Sequence, residues 1–102
     1  MSSEQTMRAL AFGLPDAKEQ ETWGRPTFRV HRAIFATLHD HLLILRGEPG
    51  TQAARLKADS RLSSAPYWGR NGRVALLLAD TSDDELPELL AAAYELAAGQ
   101  AR

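Results

Sequence analysis

Apolar residues Met7, Leu10, Ala11 and Leu14 recur at the i, i+3, i+4, i+7 spacing of one helical face, and Pro15 closes the run. With Ser2 or Ser3 as N-cap, the spacing predicts a first helix over roughly 3–14. The polar stretch DAKEQET (16–22) reads as a connection. Three runs rich in Val, Ile, Phe and Thr follow, TFRV, AIFATL and LLIL. They read as strands joined by tight turns at His31-Arg32, weak in turn chemistry, and at His39-Asp40, which is better.

GEPGT interrupts this pattern, and TQAARLKAD then predicts a short helix capped by Thr51. In the next run, LSSAPYWGRNGRVALLLAD, the pair Asn71-Gly72 suits a two-residue type I′ hairpin, whose central residues both need positive φ. Strands are therefore expected at about 65–70 and 73–79. SDDE (82–85) is a capping box, and Leu86, Leu89, Leu90, Ala93, Leu96 and Ala97 line one face of a last helix. Pro87 requires that helix to start late or to bend, because proline inside a helix removes a backbone hydrogen bond.

The predicted order is α-β-β-β-α-β-β-α, an α+β fold in one domain over residues 1–102. An antiparallel sheet with the helices packed on one face buries both terminal helices and leaves the other face to solvent or a partner. Strand alternation divides the residues further. Phe28 and Val30 separate from Arg25, Thr27 and Arg29, with Trp23 in phase with the arginines. A turn at Asn71-Gly72 would set Arg70 opposite Arg73 and Trp68 opposite Ala75, leaving Tyr67, Val74, Leu76 and Leu78 for the core. Two facing arginines repel unless an anion or a carboxylate lies between them.

Charge sharpens that picture. The chain carries a net charge of −1, but residues 22–78 hold nine basic residues against three acids, a balance of +6, while the flanks hold three against ten, a balance of −7. A basic middle between acidic ends can bind an anion even though the whole is near neutral. Each of the two tryptophans sits in a Trp-Gly-Arg triplet, so each segment offers an indole with arginines in phase, suited to phosphate contact and to stacking on a base or a planar anion. Packing of the tryptophans and ion pairing of the arginines are the plainer readings. The differing spacers argue against an internal duplication.

There is no cysteine, hence no disulfide, thiolate metal site or cysteine nucleophile, which suits a reducing cytoplasm. No leader pattern and no membrane-length apolar run are present. His39 and His41 flank a turn residue without a third ligand nearby, and no nucleophile elbow or phosphate loop occurs, so neither a metal, a cofactor nor an enzymatic activity is expected.

The segments LAFGLPDAKE, WGRPTFRVHRAIFATL, LLILRG, APYWGRNGRVALLLAD and SDDELPELLAAAYELA together resemble the MmcQ/YjbR family of small bacterial proteins, in family order over nearly the whole chain. The matching positions are Trp23, Gly24, Pro26, Phe28, Phe35, Pro66 and Tyr67. The resemblance implies a CyaY-like fold and a DNA-binding protein described by a double-wing motif. The chain departs from the pattern at His31-Arg32, where the family often has glycine-lysine, at Arg46 in place of lysine, and at Ala93 before Tyr94 in place of serine. The first two departures keep positive charge. The expectation is thus a non-enzymatic DNA- or nucleic-acid-binding protein using Trp23, Arg25, Arg29, Arg32, Tyr67, Trp68, Arg70 and Arg73. The alternative is a binder of a small planar or anionic ligand at the same residues. Fold analogy alone would suggest iron binding by the flanking acids. Oligomeric state is not legible.

Overall fold

The computed structural model describes residues 3–22, 24–64 and 72–100. Within them the first helix runs Glu4–Phe12 (α1), and Ser3 caps it by accepting a hydrogen bond from the Thr6 N–H at 3.2 Å. The expected connection at 16–22 is instead a strand, Lys18–Thr22 (β1), paired antiparallel with Arg25–Val30 (β2). β1 is an edge strand whose residues are mostly exposed, so no apolar alternation marks it. Charged side chains suit such an edge, since they discourage pairing with another chain.

Ala33–His39 (β3) and Leu42–Leu45 (β4) complete the first sheet segment. The turn between β2 and β3 is His31-Arg32, as expected. The next is Asp40-His41 rather than His39-Asp40, because His39 pairs with Leu42. After β4, Pro49–Ala58 (α2) starts two residues before the predicted stretch. Glu48 holds the N-cap position and Pro49 follows, where its missing N–H costs nothing. Thr51 is not the cap: its hydroxyl donates to the Glu48 carbonyl at 3.2 Å.

The hairpin reading of 65–79 fails on register. Ala75 pairs with Ser63 and Val74 with Ser64, so Ser63–Ser64 (β5) and Val74–Leu77 (β6) are joined by residues 65–73, not by a two-residue turn. Ala75 is partnered by Ile44 and Ser63, and the expected place of Trp68 lies outside the described residues. The predicted strand at 65–70 and its partnership of Arg70 with Arg73 lie outside the described residues. β6 also stops early, passing into a 3₁₀ turn at Leu78–Asp80. The last helix, Leu86–Gln100 (α3), does start late. Ser82 accepts from the Glu85 N–H at 3.1 Å, and Pro87 falls in the first helical turn, where amides lack intrahelical partners.

The six strands form one antiparallel sheet in the order β1-β2-β3-β4-β6-β5. Phe28, Val30, Leu38, Leu43, Leu45, Val74 and Leu76 point to one side and meet Met7, Ala11, Leu86, Leu90, Ala93 and Ala97 of α1 and α3 in a single core. Ala93, where the resemblance has serine, is buried there at 2% exposure. One irregularity shapes this packing. Phe28 pairs with Ala36 but Arg29 with Ile34, so β3 carries an extra residue, Phe35, opposite none in β2. The bulge turns Phe35 into the core beside Ala36, where its ring meets Tyr94 edge-on at 5.7 Å. The Tyr94 hydroxyl donates to the Pro15 carbonyl at 2.7 Å, tying α3 to the segment after α1.

Arg61 joins the end of α2 to the start of α3. Its guanidinium bridges Asp59 and Glu85 and donates to the Asp80 carbonyl. Hydrogen bonds from Arg61 hold the Asp59 carboxyl down at about 2. A carboxyl lowered on folding stabilises the folded state above its unfolded value and loses that contribution as pH falls toward the folded one. Urea midpoints measured from pH 5 downward are therefore expected to fall through the window between about 4 and 2, and Asp59→Asn to flatten that part of the profile. An unchanged slope in the variant would remove Asp59 from the account.

Candidate functional site

The face of the sheet turned away from the helices carries a row of side chains that crosses all six strands. Cross-strand partners place Gln20, Thr27, Thr37, Ile44, Ala75 and Ser63 side by side. This face is less open than alternation suggests, since Thr27, Thr37, Ile44 and Ala75 are each no more than 3% exposed. Two residues further along the strands, the pleat brings the next row to the same face. Arg29 and Ile34 are direct partners. The Arg46 N–H donates to the Phe35 carbonyl at 3.0 Å, which continues the β3–β4 ladder by one residue. Because Leu45 pairs with Val74, the same register brings Arg46 opposite Arg73.

Arg29, Arg32, Arg46 and Arg73 accordingly line one shallow depression of about 380 Å³, together with His31, Ala33 and Ile34. Among the described residues no carboxylate lines it. Arg8 pairs with Glu19, and Arg61 with Asp59 and Glu85, all away from this depression. The four arginines are held by neutral groups where they are held at all. Arg29 donates to the hydroxyls of Thr22 at 2.9 Å and Thr27 at 3.3 Å, and Thr27 in turn donates to the Gln20 carbonyl at 2.6 Å. Arg46 donates to the Ile34 carbonyl at 3.0 Å. Burial lowers the pKa of Arg73, and the nearby charge of Arg46 lowers it further; burial alone lowers that of Arg46. Both stay cationic at neutral pH, because the ordinary guanidinium value lies so far above it. Burial thus disfavours the charged form of both members of the pair.

The β2–β3 turn borders this depression and is built against local preference. His31 and Arg32 both take positive φ, 49° and 74°. A side chain with Cβ is disfavoured in that region, by about 1–2 kcal/mol per residue. Asp16 does the same, with φ 61°. On the far side of the turn a second depression, of about 500 Å³, is lined by Asp16, Lys18, Glu19 and Gln20 and shares Arg29, His31 and Arg32 with the first. Three of the four described non-glycine residues with positive φ thus line one recess. Strain of this kind gathers where a surrounding structure enforces a particular side-chain placement.

Of the residues singled out in the sequence, Arg29, Arg32 and Arg73 come together. Arg25 shares the sheet face and strand of Arg29 but lies four residues away, roughly 13 Å at the rise of a strand. Trp23, Tyr67, Trp68 and Arg70 lie outside the described residues, and with them the aromatic side of the small-ligand reading. Arg46, His31 and Asp16 were missed as site residues. Arg46 follows directly on the β4 run, but its approach to Arg73 depends on β4 pairing with β6 across the intervening α2, which no local pattern announces. No group of three or more His, Asp or Glu among the described residues is placed to hold a metal. No described helix is long and apolar enough to cross a membrane.

The fold is that of two solved structures. A Deinococcus radiodurans protein with a DUF419 domain superposes with a TM-score of 0.80 at 19% identity, over 94% of this chain and 78% of that one. A Pseudomonas syringae protein superposes with a TM-score of 0.74 at 15% identity, over 95% and 99%. The YjbR family model matches residues 12–96, and the chain belongs to the YjbR family. No curated protein matches it.

Proposed function

We propose that this chain is a non-enzymatic nucleic-acid-binding protein, in keeping with the DNA-binding description that the family resemblance carries, and that phosphates seat against Arg29, Arg32, Arg46 and Arg73. The observation behind this reading is the shallow depression lined by four arginines and, among the described residues, by no carboxylate. Guanidiniums hydrogen-bond phosphate oxygens in a fork, and the partly desolvated Arg46–Arg73 pair gains most from an anion placed between its members. Phosphate binding also accounts for keeping His31 and Arg32 in a turn that glycine or asparagine would form at lower cost.

Fluorescence anisotropy with single- and double-stranded oligonucleotides, repeated over a range of salt, tests the reading. Affinity is expected to fall log-linearly with salt, with a slope of about −0.7 for each phosphate contacted on a single strand, or about −0.9 on a duplex. Binding that is absent at low salt, or indifferent to salt, would overturn it. The turn offers a prediction of opposite signs. Replacing His31-Arg32 by Asn-Gly raises folding stability by about 1 kcal/mol in urea melts, through relief of positive-φ strain. The same variant binds the oligonucleotide more weakly, because one guanidinium and the imidazole are gone.

A further inference from the structure

Resting on that reading, we infer that the recess beside the arginine row is a base pocket selective for guanine, so that the protein recognises a guanine whose neighbouring phosphate lies among the arginines. The two depressions share Arg29, His31 and Arg32, which places an anion site and a second, differently lined recess on either side of one turn. The second recess has the mixed lining that a base edge needs. Asp16 and Glu19 supply carboxylate acceptors, Lys18 a donor, and Gln20 both.

The two carboxylates are not equivalent. Both oxygens of Glu19 receive hydrogen bonds from Arg8, at 3.1 and 3.5 Å, so Glu19 is committed to holding β1 against α1. Asp16 makes no ion pair with any described residue, and its backbone is held at φ 61° at the rim of the recess. A carboxylate accepts two parallel hydrogen bonds from a group that presents two adjacent donors. Among the common bases, guanine alone offers this on its Watson–Crick edge, through N1–H and the exocyclic N2 amino group. Cytosine and adenine each present one donor there beside acceptors, and thymine a single N–H between two carbonyls. Reading an unstacked base on that edge implies a single-stranded target. Lys18 and Gln20 remain to donate to the guanine O6.

Competition against a labelled single-stranded oligonucleotide tests this, with guanosine 5′-monophosphate and inosine 5′-monophosphate as competitors. Inosine differs in lacking the N2 amino group. Guanosine monophosphate is expected to compete about tenfold better, as befits one bond of a bidentate pair. Asp16→Asn tolerates positive φ, so the variant folds and is expected to compress that ratio to about one while keeping the salt-dependent binding of a thymine-only strand. Equal competition by the two nucleotides, or a ratio that survives Asp16→Asn, would overturn the pocket while leaving nucleic-acid binding in place. Loss of thymine-strand binding in Asp16→Asn alone would also count against it, by assigning Asp16 to the fold. If no oligonucleotide binds the unmodified protein, both proposals fall together.

Discussion

Replacing Arg46 and Arg73 together by glutamine is expected to weaken oligonucleotide binding by about a hundredfold or more, since each hydrogen bond to a charged group contributes about 1.5–3 kcal/mol. The salt slope should become shallower by about 1.4 if each guanidinium meets one phosphate of a single strand. Stability should move the other way or not at all. In the folded chain the two cations are partly buried, and the charge of one depresses the pKa of the other, which means that folding disfavours their charged forms. Glutamine removes that cost while giving up the hydrogen bond that Arg46 now donates to the Ile34 carbonyl. A variant that melts like the parent yet binds no less tightly would show that the arginine row is not the phosphate site.

The largest effect on stability is expected at Phe28. Its side chain is fully buried at the centre of the core and meets the ring of Phe12 edge-on at 6.2 Å. Phe28→Ala should cost about 3–5 kcal/mol, through lost transfer energy and the cavity left behind. For a domain of this size that is a large part of a total of about 5–15 kcal/mol. Phe12 is the useful contrast, because 51% of it remains exposed and water already covers much of the ring. Phe12→Ala should cost about 1 kcal/mol, with the partial burial scaled from the area rule. Urea denaturation of both variants separates them. Equal losses would mean that the ring–ring contact, not burial, dominates at this site.

Where the sequence pattern carried information, it did so through burial. The helical faces of α1 and α3 and the alternation of Phe28 and Val30 against Arg29 were legible because one side of each element is apolar and the other is not. β1 was not legible, since an edge strand exposed on most of its length needs no apolar residue to hold it. Turn chemistry misled in an instructive way. β6 takes Ser63 and Ser64 as partners and not the register that a turn at Asn71-Gly72 would set, whereas the unfavourable pair His31-Arg32 does join two strands directly. At His31-Arg32 both residues take positive φ against local preference, which the sequence could not announce. The arginine row was half legible. Phase along β2 supplied Arg29, and the basic middle of the chain announced a cationic surface, but the meeting of Arg46 with Arg73 is a product of non-local strand pairing.

The extra residue in β3 has a consequence for how this chain can change over evolutionary time. It sets Phe35 toward the core and, one residue earlier, aims the Ile34 carbonyl at Arg46, so a single irregularity positions a ring on one side of the sheet and a cation on the other. Conservative changes of side chain in β2 and β3 can be absorbed one at a time. A deletion or insertion between Phe28 and Leu38 cannot, because it would invert the faces of every residue beyond it. Length in this hairpin should therefore be inherited more strictly than composition, and positions 31 and 32 are where relatives can differ in side-chain chemistry while keeping the same frame.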